Sequence, residues 1–129
     1  MLYQRTLTIP KSTPETTPVS ATLKLCAGVS VRREVVFPAG CHALAHVRVN
    51  DAGWQLMPWS RDQWLAGEDD VVEDDSPYPH DTVPYLLTMY GYNEDTVNAH
   101  TVTLRVIMHE GEAAGLVNLG QLMDALRGV

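Results

Sequence analysis

Four separate runs of this chain alternate apolar and polar residues, and that pattern constrains the fold more than any other feature. Val19, Ala21, Leu23 and Leu25 are apolar, with Ser20, Thr22 and Lys24 between them. Val29, Val31, Val35 and Phe37 repeat the pattern against Ser30, Arg32 and Glu34, with Arg33 standing where an apolar residue is due. Ala43, Ala45, Val47 and Val49 oppose His46, Arg48 and Asn50. Val102, Leu104, Val106 and Met108 oppose Thr101, Thr103 and Arg105. Successive strand side chains point to opposite faces, so each run reads as a strand with one buried face. No helical period occurs before Glu110.

Other segments fit the same grammar. Leu2 to Ile9 is strand-like, but prolines 10, 14 and 18 follow and favour an extended arm. Pro38-Ala39-Gly40 marks a turn. Asn50-Asp51-Ala52-Gly53 leads straight into Trp54-Gln55-Leu56-Met57. That predicts a hairpin, with a turn longer than the two-residue type. Residues 58 to 84 are irregular, with four prolines and the acidic run Glu68 to Asp75. Val71 and Val72 inside that run predict a short strand. Strand character returns from Tyr85 to Tyr92, and Asn93-Glu94-Asp95 turns the chain. About seven short strands at this spacing predict an all-β antiparallel sandwich, jelly-roll-like in topology.

After Gly111 the period changes. Leu116, Leu119, Leu122, Met123 and Leu126 fall on one face of a short amphipathic helix. Asn118 is a candidate cap, with Gln121 at the third helical position, and Gly128 lies just past the end. The expected organisation is an N-terminal strand or arm over 1–18, a sandwich over 19–109, and a tether with helix over 110–129. At 129 residues and 45% apolar, the chain is sized for one domain with a real core.

Composition narrows the function. Nine basic and sixteen acidic residues give a formal charge of −7, a poor match for a phosphate backbone, so no direct nucleic-acid partner is expected. No stretch approaches the roughly 18–20 apolar residues of a membrane span. The first residues lack the apolar core of a signal peptide, so secretion by that route is not expected. Cys26 and Cys41 lie in no CxxC pair and read as two free thiols near strand ends, a disulfide requiring the fold to bring them together.

Chemical motifs are scarce. The acidic run lacks the glycine and distal glutamate of a calcium loop and reads as solvated, binding no structural metal. His42, His46, His80, His100 and His109 form no metal-binding motif. No serine sits in a nucleophile elbow and no phosphate loop exists, so neither enzyme activity nor a cofactor is expected. The aromatics say more. Trp54, Trp59 and Trp64 recur every five residues, followed by Tyr78, Tyr85, Tyr90 and Tyr92. Rings so placed fill a core or a subunit interface, or form a sugar-stacking platform. Trp59 and Trp64 are candidate partner-interface residues, together with the apolar stripe Leu116, Leu119, Leu122, Met123 and Leu126.

A resemblance adds to this. The segments VVFPAGCHALAHVRV, WQLMPWSRDQW and MYGYNEDTVNAHTVTLRVIM resemble small β-sandwich proteins of tailed-bacteriophage virions, encoded near the capsid genes. The matching residues are Phe37, Pro38, Gly40, Cys41, His46, Gln55, Pro58, Trp59, Tyr92, Asn93 and His100, and the likeness spans about residues 5 to 108. It implies a head auxiliary protein, of the decoration or cement kind, bound to the major capsid protein or other virion subunits. Such proteins are commonly trimers, and the acidic charge favours the outer surface of the head over the DNA-filled lumen. The C-terminal helix departs from that pattern and points instead to a portal, tail or spike component. Two further classes stay open: a carbohydrate-binding module, which needs two tryptophans exposed and coplanar, and a small hydrolase, which needs a pocket of convergent polar groups.

Overall fold

The computed structural model describes residues 1–110. Among them are ten strands and no helix: β1 (Leu2–Ile9), β2 (Val19–Lys24), β3 (Gly28–Phe37), β4 (Ala45–Asp51), β5 (Trp54–Met57), β6 (Leu65–Ala66), β7 (Asp70–Asp74), β8 (Tyr78–His80), β9 (Leu86–Asn93) and β10 (His100–Glu110). The expected tether and helix, with Leu116, Leu119, Leu122, Met123 and Leu126, lie beyond the described residues, and Glu110 still belongs to β10.

The pairings are all antiparallel and nested. β1 pairs with β10, β2 with β9, β3 with β7 and β8, and β4 with β5 and β6. The chain is therefore one long antiparallel ribbon doubled back at the β4–β5 hairpin. Rolling that ribbon brings β10 against β3 and β9 against β4. Two sheets result, ordered β1-β10-β3-β7 with β8 also on β3, and β2-β9-β4-β5 with β6 also on β4. A doubled ribbon rolled into two packed sheets is a jelly roll, the all-β sandwich the alternation predicts.

The inward rows meet in one core. Ile9, Val35, Phe37, Val47, Val49, Leu87, Met89, Val102, Leu104 and Val106 are fully buried. Gly91 also faces inward on β9, where Ile9 of the opposite sheet fills the space above it. A Cβ at this position would lie 2.6 Å from Ile9 Cδ1.

Three local details sharpen the sequence reading or differ from it. Leu2–Ile9 is the strand that its sequence suggests, pairing along its length with β10 and putting Leu7 and Ile9 into the core. The proline-bearing link after it is also tied down. Ser12 N donates to Asp95 O at 2.8 Å, and Asn93 N donates to Thr13 O at 3.0 Å. The break at residue 18 thus separates two strands of one sandwich. In β3 the register against β10 shifts between Ile107 and Met108, so Arg32 faces Ile107 while Ser30 faces Met108, and Val31 is the extra residue. That bulge reverses the alternation on its far side. Ser30 is buried and Val31 is only half-buried, although the pattern placed them the other way round. Finally, Asp51 pairs with Trp54, so the β4–β5 loop is the two residues Ala52 and Gly53. Ala52 takes the left-handed conformation, φ 51°, that this short turn requires.

Candidate partner interface

The outer face of the second sheet is built from the polar rows of β4 and β9. Register sets His46 opposite Tyr92, Arg48 opposite Tyr90 and Asn50 opposite Thr88. These six side chains are all half-buried rather than exposed, and the loop before β6 lays Trp64 against two of them, Tyr92 and Arg48. The Trp64 ring meets Tyr92 edge-on at 4.7 Å, and the Arg48 guanidinium lies 4.5 Å from the Trp64 centroid. Arg48 also reaches Tyr90 at 5.3 Å. His46 stacks flat on Tyr92 at 4.4 Å, with Nε2 2.6 Å from Glu94 Oε1. Trp64 Nε1 donates to Glu15 Oε2 at 3.2 Å. The Tyr92 hydroxyl is pushed above its ordinary pKa by burial, and by Glu15 and Glu94.

A second aromatic group sits beside the β4–β5 turn. Trp59 is 61% exposed and Trp54 44%. Their rings meet at 66°, and Arg61 covers Trp54 at 4.8 Å. Two exposed tryptophans are present, but they are not coplanar, so this pair is not the flat stacking platform that a sugar module needs. Of the residues singled out by sequence, Trp59 is thus an open apolar surface and Trp64 the lid of a packed cluster. Sequence reasoning did not single out Arg48, His46, Tyr90 and Tyr92 as a set. Their signal was their place in the polar rows of two strands, which only the β4–β9 register joins.

Several other polar groups are bonded within the sandwich. Arg33, 1% exposed, donates from Nη1 to Ser30 O and Oγ at 3.2 and 2.7 Å, and from Nη2 to Ser76 O and Oγ at 2.7 and 3.3 Å. Asp74 adds an ion pair to Nη2 at 3.3 Å. This explains an arginine in an inward row: it ties β3 to the chain after β7. His80 Nε2 lies 2.9 Å from Ser30 Oγ, a spacing suited to a nucleophile and its base. Ser30 is wholly buried and already engaged by Arg33, so no substrate reaches it. Burial, with the Arg33 charge, holds His80 below its ordinary pKa despite opposing pulls from Asp51 and Asp81. A cleft of about 410 Å³ next to it is lined by Asp51, Tyr78, His80, Asp81 and Thr82. Its polar atoms are mostly spent internally: Tyr78 donates to Asp51 Oδ2 at 2.7 Å.

At the other end of the sandwich, Asp95 accepts from Val97 N and Asn98 N at 2.8 and 3.0 Å, and lies 2.8 Å from His100 Nε2. Those two backbone donors, with His100, lower its pKa to about 2. The acidic run forms β7, as Val71 and Val72 predicted. Glu68 before it accepts from Gly40 N and His42 N and so pins the turn after β3. Cys26 and Cys41 are both free thiols, with Cys41 buried.

No protein-family model matches the chain, and no curated protein matches it. Among solved structures it is similar to a chain in the structure of infectious bursal disease virus Gt strain, at TM-score 0.38 and 18% identity. The likeness covers 87% of this chain and 33% of that one, so this chain spans about a third of the other's length. By its own strand order the protein is a jelly-roll sandwich, and its most distinctive surface is the aromatic and arginine-bearing face of the second sheet.

Proposed function

We propose that this chain is a non-enzymatic structural protein of a tailed-phage virion. Within that class it is a head auxiliary protein of the decoration or cement kind, a homo-oligomer, with a trimer favoured, bound to the major capsid protein on the outer surface of the head. The observation that carries this reading is the second sheet's outer face. Tyr, Trp and Arg are the residue types over-represented at the energetic centres of protein interfaces, and Trp64, Tyr90, Tyr92 and Arg48 lie together there. Trp54 and Trp59 extend that surface with open apolar area. The sequence resemblance over about residues 5 to 108 supports the phage assignment. A rigid sandwich with a docking face fits a clamp between subunits.

The stripe Leu116, Leu119, Leu122, Met123 and Leu126 completes the proposal as a second docking element, reaching a neighbouring subunit. Quantitative mass spectrometry of purified particles tests the reading. A copy number of the same order as the capsid protein is expected. Only a few copies per particle would instead mark a portal, tail or spike component, and absence from particles would overturn the reading. Deleting residues 112–129 is expected to leave the sandwich folded but weaken incorporation into the particle.

A further inference from the structure

Arg48 differs from the two arginines of β3 in how little the chain does for its charge. Arg33 donates from both Nη groups to Ser30 and Ser76, although its Nε too is buried without a partner, and Arg32 pairs with Glu73 at 3.4 Å. Among the described residues, no carboxylate or carbonyl oxygen pairs with Arg48, and its Nε is buried with no hydrogen-bond partner. The guanidinium is nonetheless held in place, between Trp64 and Tyr90. Two acidic groups that touch this aromatic cluster are engaged within it, Glu15 by Trp64 Nε1 and Glu94 by His46. On the same strand face, Asn50 Oδ1 is likewise buried and unfilled. Buried polar groups in folded proteins are almost always satisfied, so two unfilled ones side by side mark a place where something else binds.

We propose that Arg48, clamped between Trp64 and Tyr90, is a carboxylate-binding anchor that takes an Asp or Glu side chain of a partner protein. This deepens the interface reading above and rests on it for the nature of the ligand's carrier. The planar guanidinium offers a fork of donors matched to a carboxylate, and stacking on aromatic rings leaves that fork free. Because the rings already order the side chain, little rotamer freedom is lost on binding. A dianionic phosphate would meet Glu15 and Glu94 at the rim, whereas a single carboxylate meets less repulsion. A sugar acid would need an open ring face to stack on. Trp64 gives its face to Arg48 and packs edge-on with Tyr92, which favours a protein side chain.

The test is a titration of the full chain with N-acetylglutamate α-amide, followed by NMR at the Arg48 Nε–H and Trp64 Nε1–H signals. N-acetylglutamine α-amide serves as the neutral control and glucuronate as the sugar acid. A saturating shift with the glutamate probe alone is expected at millimolar concentration. Arg48→Gln should weaken it by about tenfold or more. Arg48→Lys, which keeps the charge and guards against a folding artefact, should not restore it, because an ammonium lacks the fork. Thr8→Ala, on the outer face of the other sheet, should leave it unchanged. No shift by about 100 mM, an equal shift with the glutamine probe, or a shift surviving in Arg48→Gln would overturn the proposal. A response to glucuronate alone would overturn it in favour of a sugar site. Absence of the chain from particles, by contrast, would remove the virion reading without touching this measurement.

Discussion

The two outer faces of the sandwich come from the same alternation and end up differently. On the first sheet, Gln4, Thr6 and Thr8 of β1 face Arg105, Thr103 and Thr101 of β10. Short hydroxyls dominate there, with Thr8 and Thr101 bonded at 2.9 Å, and most of that row is exposed. On the second sheet the row of the two central strands holds His46, Arg48, Tyr90 and Tyr92, and it is half-buried, as is the central row of the first sheet at Glu34, Val36, Thr103 and Arg105. Long flat side chains can recruit a cover, and Trp64 supplies it. The comparison teaches that an outward row in a strand is not the same as a solvent row. Where the strand sits in its sheet, and what the row carries, decide together how far it is covered.

The interior beneath both faces sets the upper bound on any effect there. Phe37 is wholly buried on β3, and Phe37→Ala should cost about 3–5 kcal/mol in chemical denaturation. A loss under about 1 kcal/mol would show that its face is wrongly assigned. Beneath the aromatic face, Gly91→Ala pushes a methyl against Ile9 in a closed core, and about 1–3 kcal/mol of destabilisation is expected. Ile9→Val in the same chain should recover part of that loss, since it removes the atom that the methyl meets.

On the faces themselves the contrast is sharper. Trp64→Ala should cost about 1–2 kcal/mol, as a half-buried ring is lost, and should expose Tyr90 and Tyr92 to a fluorescence quencher. Thr8→Ala on the opposite face should change stability by no more than about 0.5 kcal/mol. Equal effects from the two would abolish the distinction between the faces.

A pH titration bears on the first sheet's end, where burial holds His80 below its ordinary value. In the unfolded chain this group titrates near the ordinary histidine value of about 6.5. Below that pH the unfolded state takes up a proton that the folded state resists. The contribution is therefore intact above about pH 6.5 and fades as pH falls towards the folded value. Thermal melts of His80→Gln should lack that part of the acid-side slope. An unchanged slope would mean that His80 titrates alike in the folded and unfolded states.

Much of this fold was legible because strand periodicity is local. Phe37, Leu104, Val47 and Val102 read as core from their own neighbours, and β7 showed through an acidic run because two valines stood in it. Arg33 was also legible as an inward exception, though not its partners: Ser76 and Asp74 lie more than forty residues away. The face of Ser30 and Val31 was not legible, because a bulge depends on how β3 meets β10 and leaves no mark on either strand alone. The two-residue loop at Ala52 escaped for a related reason: cross-strand pairing forces a left-handed alanine that local propensity disfavours.

By itself, then, the sequence determined the strands, their buried rows, the antiparallel sandwich and the acidic balance, since each depends on alternation and composition within a few residues. Only the tertiary structure decided that Leu2–Ile9 belongs to the sandwich, because a strand's membership rests on the partner that fills its backbone hydrogen bonds, and that partner is β10, at the far end of the described chain. It alone also assembled Arg48, Trp64, Tyr90 and Tyr92 into one surface. Those residues come from β4, β9 and the loop before β6, and they meet because antiparallel register and a half-buried aromatic lid bring together what the chain keeps apart.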